Sequence, residues 1–204
     1  MRLGEIAQGK HVLVVAYEIA RRKPVVFKTT KPSHKNLKSA DIADATSAAP
    51  TYFPTVKMKL DGLDAWLVDG GVVANNPTMC AISEALSAWE TTIDKVKVLS
   101  VGTGYRTRKI NGPASRDWGA VQWFLQGSLI DLLSDERIVE HQSATILPPA
   151  NYLRVNSELS RAVIDPAPDD AMDDIDADNI RKLVKLGDIW FEEYGDDAIK
   201  LLLS

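Results

Sequence analysis

Apolar and polar positions along the chain fall into two periods, one suited to strands and one to helices. Residues 11–19 (HVLVVAYEI) form a Val-rich run that reads as a strand, and residues 24–29 (PVVFKT) read as a second. The polar link at residues 20–23 suits a hairpin between them. Residues 31–38, with Pro32, Ser33 and Asn36, read as a loop. Residues 37–47 are Ala-rich and predict a helix, closed by Pro50, because the residue before a proline is pushed out of the helical region. A short apolar strand at residues 65–68 runs into Asp69-Gly70-Gly71. Asn75, Asn76 and Pro77 then signal a helix start, followed by a stripe of Ile82, Leu86, Trp89 and Ile93 at helical spacing. Residues 95–101 (KVKVLSV) predict a strand, with a Gly-Thr-Gly turn at 102–104. Residues 117–141 carry Trp118, Val121, Leu125, Leu129 and Leu132 at helical spacing, and residues 151–155 (NYLRV) predict another strand. The chain closes on a helix at 180–203, with Leu183, Val184, Trp190, Phe191 and Tyr194 on its apolar side and Gly187 weakening it locally. Strands alternating with helices predict an α/β fold, a layered sheet with flanking helices.

Composition narrows the possibilities. At 204 residues and 45% apolar content the chain is long enough to bury a core, as one domain or most of a larger one. The 24 basic and 28 acidic residues leave a net charge of −4, without the basic footprint of a nucleic-acid binder. Cys80 stands alone, so no internal disulfide forms, which fits a reducing compartment. His11, His34 and His141 are scattered and none is ligand-spaced with another His or Cys, which argues against zinc. The acid-rich run at 165–178 lacks the glycine of a calcium loop and reads as a solvated approach to the last helix, where acids suit the helix dipole. No apolar run reaches the roughly 20 residues of a spanning helix, and the opening MRLGEIAQGK lacks the apolar stretch of a signal peptide.

The chemistry concentrates in residues 41–81. Asp69 ends a strand, where catalytic groups project in α/β sheets, and two glycines follow it. Glycines accept a positive φ and let another chain or a substrate approach closely. A partly desolvated carboxylate there can act as a general base. Asp-Gly is equally a common turn signal, so a plain tight turn stands beside that reading.

The stretch resembles the patatin-like phospholipase family. The resemblance is carried by Ala45-Thr46-Ser47-Ala48-Ala49-Pro50-Thr51-Tyr52-Phe53-Pro54, by Val68-Asp69-Gly70-Gly71-Val72 and by Ala74-Asn75-Asn76-Pro77-Thr78. Ser100-Val101-Gly102-Thr103-Gly104, Tyr152-Leu153-Arg154-Val155 and Met172-Asp173-Asp174 extend it over nearly the whole chain, in the family's order. It implies a lipid acyl hydrolase of phospholipase A type with a Ser-Asp dyad, in which Asp69 of the Asp69-Gly70-Gly71 motif is the proton acceptor. It also implies a phospholipid or other acyl-ester substrate and no metal or organic cofactor. Asn75 and Pro77 then cap the helix after the catalytic turn.

The departure from the pattern concerns the nucleophile. The family's Gly-X-Ser-X-Gly elbow, a strained serine at a strand-to-helix turn, is absent from the chain. Ser47 has no glycine on either side, Ser100 lacks the leading glycine, and Ser128 follows Gly127 inside a helical run. No Gly-rich oxyanion loop occurs near the start. Residues 1–204 are therefore expected to be the C-terminal portion of a patatin-like domain, its sheet incomplete on the N-terminal side. The nucleophile would then come from a complementary N-terminal half. The alternative is a non-catalytic patatin-fold protein that binds lipid or a protein partner. A location in the cytoplasm or at a membrane periphery is expected. Lys31, Lys35 and Lys38 form a basic loop that reads as solvated, with contact to anionic head groups as the other reading.

Overall fold

The computed structural model describes the chain except residues 107–109, 126–134, 161, 172 and 204. It divides into two compact units, Met1–Glu90 with Gly119–Val139, and Thr91–Trp118 with Glu140–Ser204. The predicted α/β class holds: strands and helices share both units.

The first unit is built on a four-stranded antiparallel sheet in the order β2-β1-β4-β3. Strands β1 (Leu13–Glu18) and β2 (Lys23–Lys28) form the expected hairpin, with Val15 opposite Val26. Pro24 lies in β2, an outer strand, where a missing N–H costs little. Strands β3 (Val56–Leu60) and β4 (Leu63–Asp69) form a second hairpin around Asp61-Gly62, both at positive φ, the geometry that matches the strand twist. The periodicity does not single out β3, yet its Val-Lys-Met-Lys-Leu alternates strictly. Met58 is buried and Lys57 and Lys59 are exposed. On that solvent face Lys57 and Lys59 each bind Asp64 at 2.8 Å, and Lys57 lies over the Trp66 ring. These lysines hold the Asp64 carboxyl at a pKa of about 2.

The opposite sheet face packs under α1 (Ser39–Thr46). Ala16, Phe27, Ile42, Ala45, Met58 and Leu67 form one core with Leu3. Glu18 is fully buried at the end of β1. Its carboxylate accepts the N–H groups of Ala20 (3.3 Å), Arg21 (2.7 Å) and Trp66 (3.2 Å), so it closes the first hairpin and ties it to β4. His34 is also buried, its Nδ1 accepting the Lys28 N–H at 3.2 Å and its ring tilted against Phe27. After β4 come the short α2 (Gly71–Ala74) and α3 (Thr78–Ala88). Glu84 of α3 is buried and bonded to Lys28 Nζ at 2.5 Å and to the Thr30 hydroxyl, which anchors the helix to the first hairpin.

The second unit holds a parallel pair, β5 (Val98–Val101) and β6 (Tyr152–Val155), with Leu99 opposite Leu153. Gly104, in the turn after β5, sits at φ +85°. The one-turn α4 (Gly112–Ser115) precedes the stretch 117–141 where the spacing predicts helix. Within that stretch lie α5 (Ala120–Leu125), which belongs to the first unit, and the start of α6 (Arg137–Ile146), while residues 126–134, with Leu129 and Leu132, lie outside the described set. The last helix, α7 (Ala177–Leu203), starts three residues earlier than its apolar stripe predicts. Its buried face also differs from the expected one. Leu186 packs with Leu159 and Ile164, joined by Ile189 and Trp190, whereas Val184 and Phe191 are exposed. Phe191 lies along its own helix instead, its ring 3.2 Å from the place a β-carbon on Gly195 would occupy. In the acid-rich approach, Asp169, Asp174 and Asp176 each accept a backbone N–H two residues on, the local pattern that shapes such loops.

Candidate active site

Strand β4 delivers Asp69 at its last position, half-buried and paired with Ala16 of β1. Four hydrogen bonds hold the corner. The Asp69 N–H donates to the Ala48 carbonyl at 3.0 Å, just past the end of α1. The Gly71 N–H donates to Asp69 Oδ1 at 2.6 Å. Val73 and Ala74 N–H groups return to the Gly70 carbonyl at 3.0 and 2.8 Å, which starts α2. Oδ2 of Asp69 receives no donor from the described residues. One carboxylate oxygen is thus anchored, and the other has no such donor.

The two glycines earn their place by space. Gly70 has φ −69° and ψ −23°, an ordinary conformation for any residue, so the positive φ that the sequence reading allows is not used. A β-carbon on Gly70 would instead fall on the backbone carbonyl of Val15, 2.5 Å from its carbon and closer to its oxygen. The chain that approaches closely is therefore β1. A β-carbon on Gly71 would lie 3.1 Å from Asp69 Oδ1 and 3.2 Å from Asn75 Oδ1, so the two side chains converge over that glycine.

The helix cap differs in detail from the expectation of Asn75 and Pro77. It is the buried Asn76 whose Oδ1 accepts the Thr78 N–H at 3.0 Å, and Pro77 stands just before the first helical residue. The short polar side chain of Asn76 satisfies an orphan donor of the helix, the service expected of Asn75.

The other sequence candidates lie elsewhere. Ser47 is exposed and spends its hydroxyl on the Ala43 carbonyl at 2.8 Å, back along its own helix. Ser100 is buried in β5 and accepts Arg154 Nη1 at 2.9 Å. His141 is exposed on α6. Ser128 and Met172 fall outside the described residues. Among the described residues no three His, Cys, Asp or Glu side chains are grouped to hold a metal, and no helix is long and apolar enough to cross a membrane. Lys31 of the basic loop lies 3.7 Å from Asp61, an exposed pair. What the sequence did not single out are the parts that fix Asp69 from behind: the Val15 and Ala48 carbonyls and the Thr46 hydroxyl, which donates to Val15 at 2.6 Å. Backbone carbonyls carry no signature in a sequence, and Thr46 reads there as one more small residue of an Ala-rich helix end.

The segment that carries these residues has counterparts in known proteins. The family model for patatin-like phospholipase matches residues 6–82, the segment from β1 to the first half of α3. Patatin-like protein 2 of Oryza sativa subsp. indica is 29% identical over 228 aligned residues, covering 94% of this chain and 55% of the relative. Patatin-like protein 3 of Arabidopsis thaliana is 30% identical over 72% of this chain and 42% of its own length. Patatin-08 of Solanum tuberosum is 27% identical over 87% and 51% respectively. The chain spans about half the length of these curated relatives. With a matched segment that includes the strand carrying Asp69, and with relatives aligned over most of its length, the chain belongs to the patatin-like phospholipase family.

Proposed function

We propose that the chain is the aspartate-bearing portion of a lipid acyl hydrolase of phospholipase A type, with Asp69 as the proton acceptor of a Ser-Asp dyad. The observation that carries this reading is the state of the Asp69 carboxylate at the end of β4: Oδ1 is fixed by the Gly71 N–H and Oδ2 is left without a protein donor among the described residues. A base needs this asymmetry. The anchored oxygen sets the orientation and the other takes the proton.

In the reaction a serine hydroxyl attacks the ester carbonyl of a phospholipid or other acyl ester while Asp69 Oδ2 accepts the hydroxyl proton. The tetrahedral intermediate collapses and expels the alcohol, which takes the proton back from Asp69, leaving an acyl-serine. Water attacks next, giving its proton to the same carboxylate, and the fatty acid leaves as the serine is reprotonated. The serine and the oxyanion donors come from a complementary segment outside these 204 residues, since no Gly-X-Ser-X-Gly occurs among them. No metal or organic cofactor enters. The protein works in the cytoplasm or at a membrane periphery, where its substrate is presented.

The test has two arms. The purified chain alone, offered a short nitrophenyl ester and phosphatidylcholine vesicles, is expected to give no turnover above buffer. Turnover abolished by Asp69→Ala would refute the division of the dyad. In the protein that joins this chain to its serine-bearing segment, Asp69→Asn keeps the shape and removes the basicity. It is expected to cost about 10²–10⁴-fold in kcat, the usual worth of a general base. Hydrolysis within a few-fold of the parent would refute Asp69 as the base.

A further inference from the structure

We infer that Thr46 is a positioning residue for Asp69, acting through the backbone carbonyl of Val15; the inference deepens the reading of Asp69 as the base and rests on it for its catalytic meaning. Thr46 is the last residue of α1. A hydroxyl at a helix end commonly bonds a carbonyl one turn back, as the neighbouring Ser47 does with Ala43. Thr46 does otherwise. Its hydroxyl crosses to β1 and donates to the Val15 carbonyl at 2.6 Å, 31 residues away in sequence.

That carbonyl is the surface against which Gly70 sits. No β-carbon fits between them. The residue after Val15, Ala16, is the ladder partner of Asp69, and the residue two after Thr46, Ala48, receives the Asp69 N–H. The end of α1 and the middle of β1 therefore grip the Asp69-Gly70 corner from two sides, and the Thr46 hydroxyl links the two grips. Gly70 leads directly into Gly71, whose N–H fixes Asp69 Oδ1. If the Val15 carbonyl is free to tilt, Gly70 gains room and the Gly71 N–H swings from Oδ1. The carboxylate then turns about its own side-chain bond. A carboxylate that turns presents Oδ2 to the serine for only part of the time.

A purely structural Thr46 would stabilise the whole unit and leave the corner no looser than the rest. Hydrogen exchange and the proton shift of the Gly71 amide separate the two in the chain as it stands, with no need for turnover. Thr46→Val keeps the shape and removes the donor; Thr46→Ser keeps the donor. In Thr46→Val, protection of the Gly71 amide is expected to fall about tenfold more than that of the Leu67 amide in the same strand. The Gly71 shift is also expected to stop following the titration of the Asp69 carboxyl. Thr46→Ser is expected to keep both signals. Equal loss at Gly71 and Leu67, with the shift still following the carboxyl, would overturn the inference. If Thr46→Val does not fold, Thr46→Ser decides: loss of Gly71 protection in that folded variant would overturn it equally. Failure of the base reading is seen separately, as hydrolysis that survives Asp69→Asn in the joined protein while the Gly71 signals still respond to Thr46.

Discussion

Replacing Gly70 by alanine sets two effects of opposite sign against each other, and the structure says which wins. At φ −69° and ψ −23° the backbone accepts alanine without strain. A Gly→Ala change at such a position normally stabilises by about 0.4–1 kcal/mol, because the unfolded chain loses freedom. Against this, the new methyl would stand 2.5 Å from the Val15 carbonyl carbon, nearer still to its oxygen, and 3.1 Å from Val15 Cβ. The obstacle is backbone, in a strand hydrogen-bonded on both sides, to β2 and to β4. It has no rotamer to change, so either the ladder or the Asp69 corner must move. Overpacking of this kind costs about 1–3 kcal/mol and more where nothing yields. Because the obstacle is backbone the upper end applies, and about 3 kcal/mol less the gain leaves an expected net loss of about 2–2.6 kcal/mol. With a urea slope of about 2 kcal/mol/M, that lowers the midpoint by about 1–1.3 M. Gly71→Ala is the matched comparison. Its methyl meets only the side-chain oxygens of Asp69 and Asn75, at 3.1 and 3.2 Å, which can retreat. Its loss is expected to stay under about 1 kcal/mol. Urea unfolding followed by circular dichroism measures both. A Gly70→Ala midpoint equal to or above the parent's would refute the close approach of β1 as the reason for glycine there.

Two further predictions concern pH. Burial holds the His34 imidazole below its usual pKa, helped by the charges of Lys31 and Lys28 and opposed by Asp61. Its stabilising bond to the Lys28 N–H is complete above the unfolded value of about 6.5 and is lost as the pH falls through the lower folded one. The urea midpoint is expected to drop between pH 7 and 5 in the parent and to flatten in His34→Asn; an unchanged slope in the variant would count against this. For Glu18, burial pushes the carboxyl up, but the N–H groups of Trp66, Arg21 and Ala20 and the charge of Arg21 outweigh it and leave the pKa lowered. Its contribution is present above the ordinary glutamate value and is lost at lower pH, so Glu18→Gln is expected to flatten the acid limb of stability below about pH 4; a limb of parental steepness would show that other carboxyls carry it.

The sequence was most legible where a single period governed a whole element. The first hairpin, the strand into Asp69, β5, β6 and α7 all lie within a few residues of where periodicity predicts them, whereas α3 starts as predicted but ends at Ala88, short of Ile93, and buries only Ile82 of its expected stripe. Strand β3 was harder because its two exposed lysines lower the mean hydropathy of five residues, and only strict alternation beside Asp61-Gly62 betrays a half-buried strand. The buried face of α7 is not legible from its stripe because apolar residues lie on more than one side of the helix: Leu186, Ile189 and Trp190 pack, whereas Leu183, Val184 and Phe191 are exposed. The position of Asp69 was readable from its motif. What holds it was not, since two of the holding groups are backbone carbonyls and Gly70 gives no sign of which chain presses on it. His34 likewise looks like any polar loop residue until the fold closes Phe27 over it.

The two outer strands of the four-stranded sheet have a bearing on how the molecule keeps its own company. A sheet border with free N–H and C=O groups is an invitation for another copy to add itself, the first step of fibril growth. Here β2 offers Pro24, which has no proton to give, and β3 offers Lys57 and Lys59 at alternate positions. Two β3 borders laid side by side would bring four ammonium groups together with only the two Asp64 carboxylates between them. The same residues that hid β3 from a hydropathy reading thus make it a poor seed for pairing with another copy.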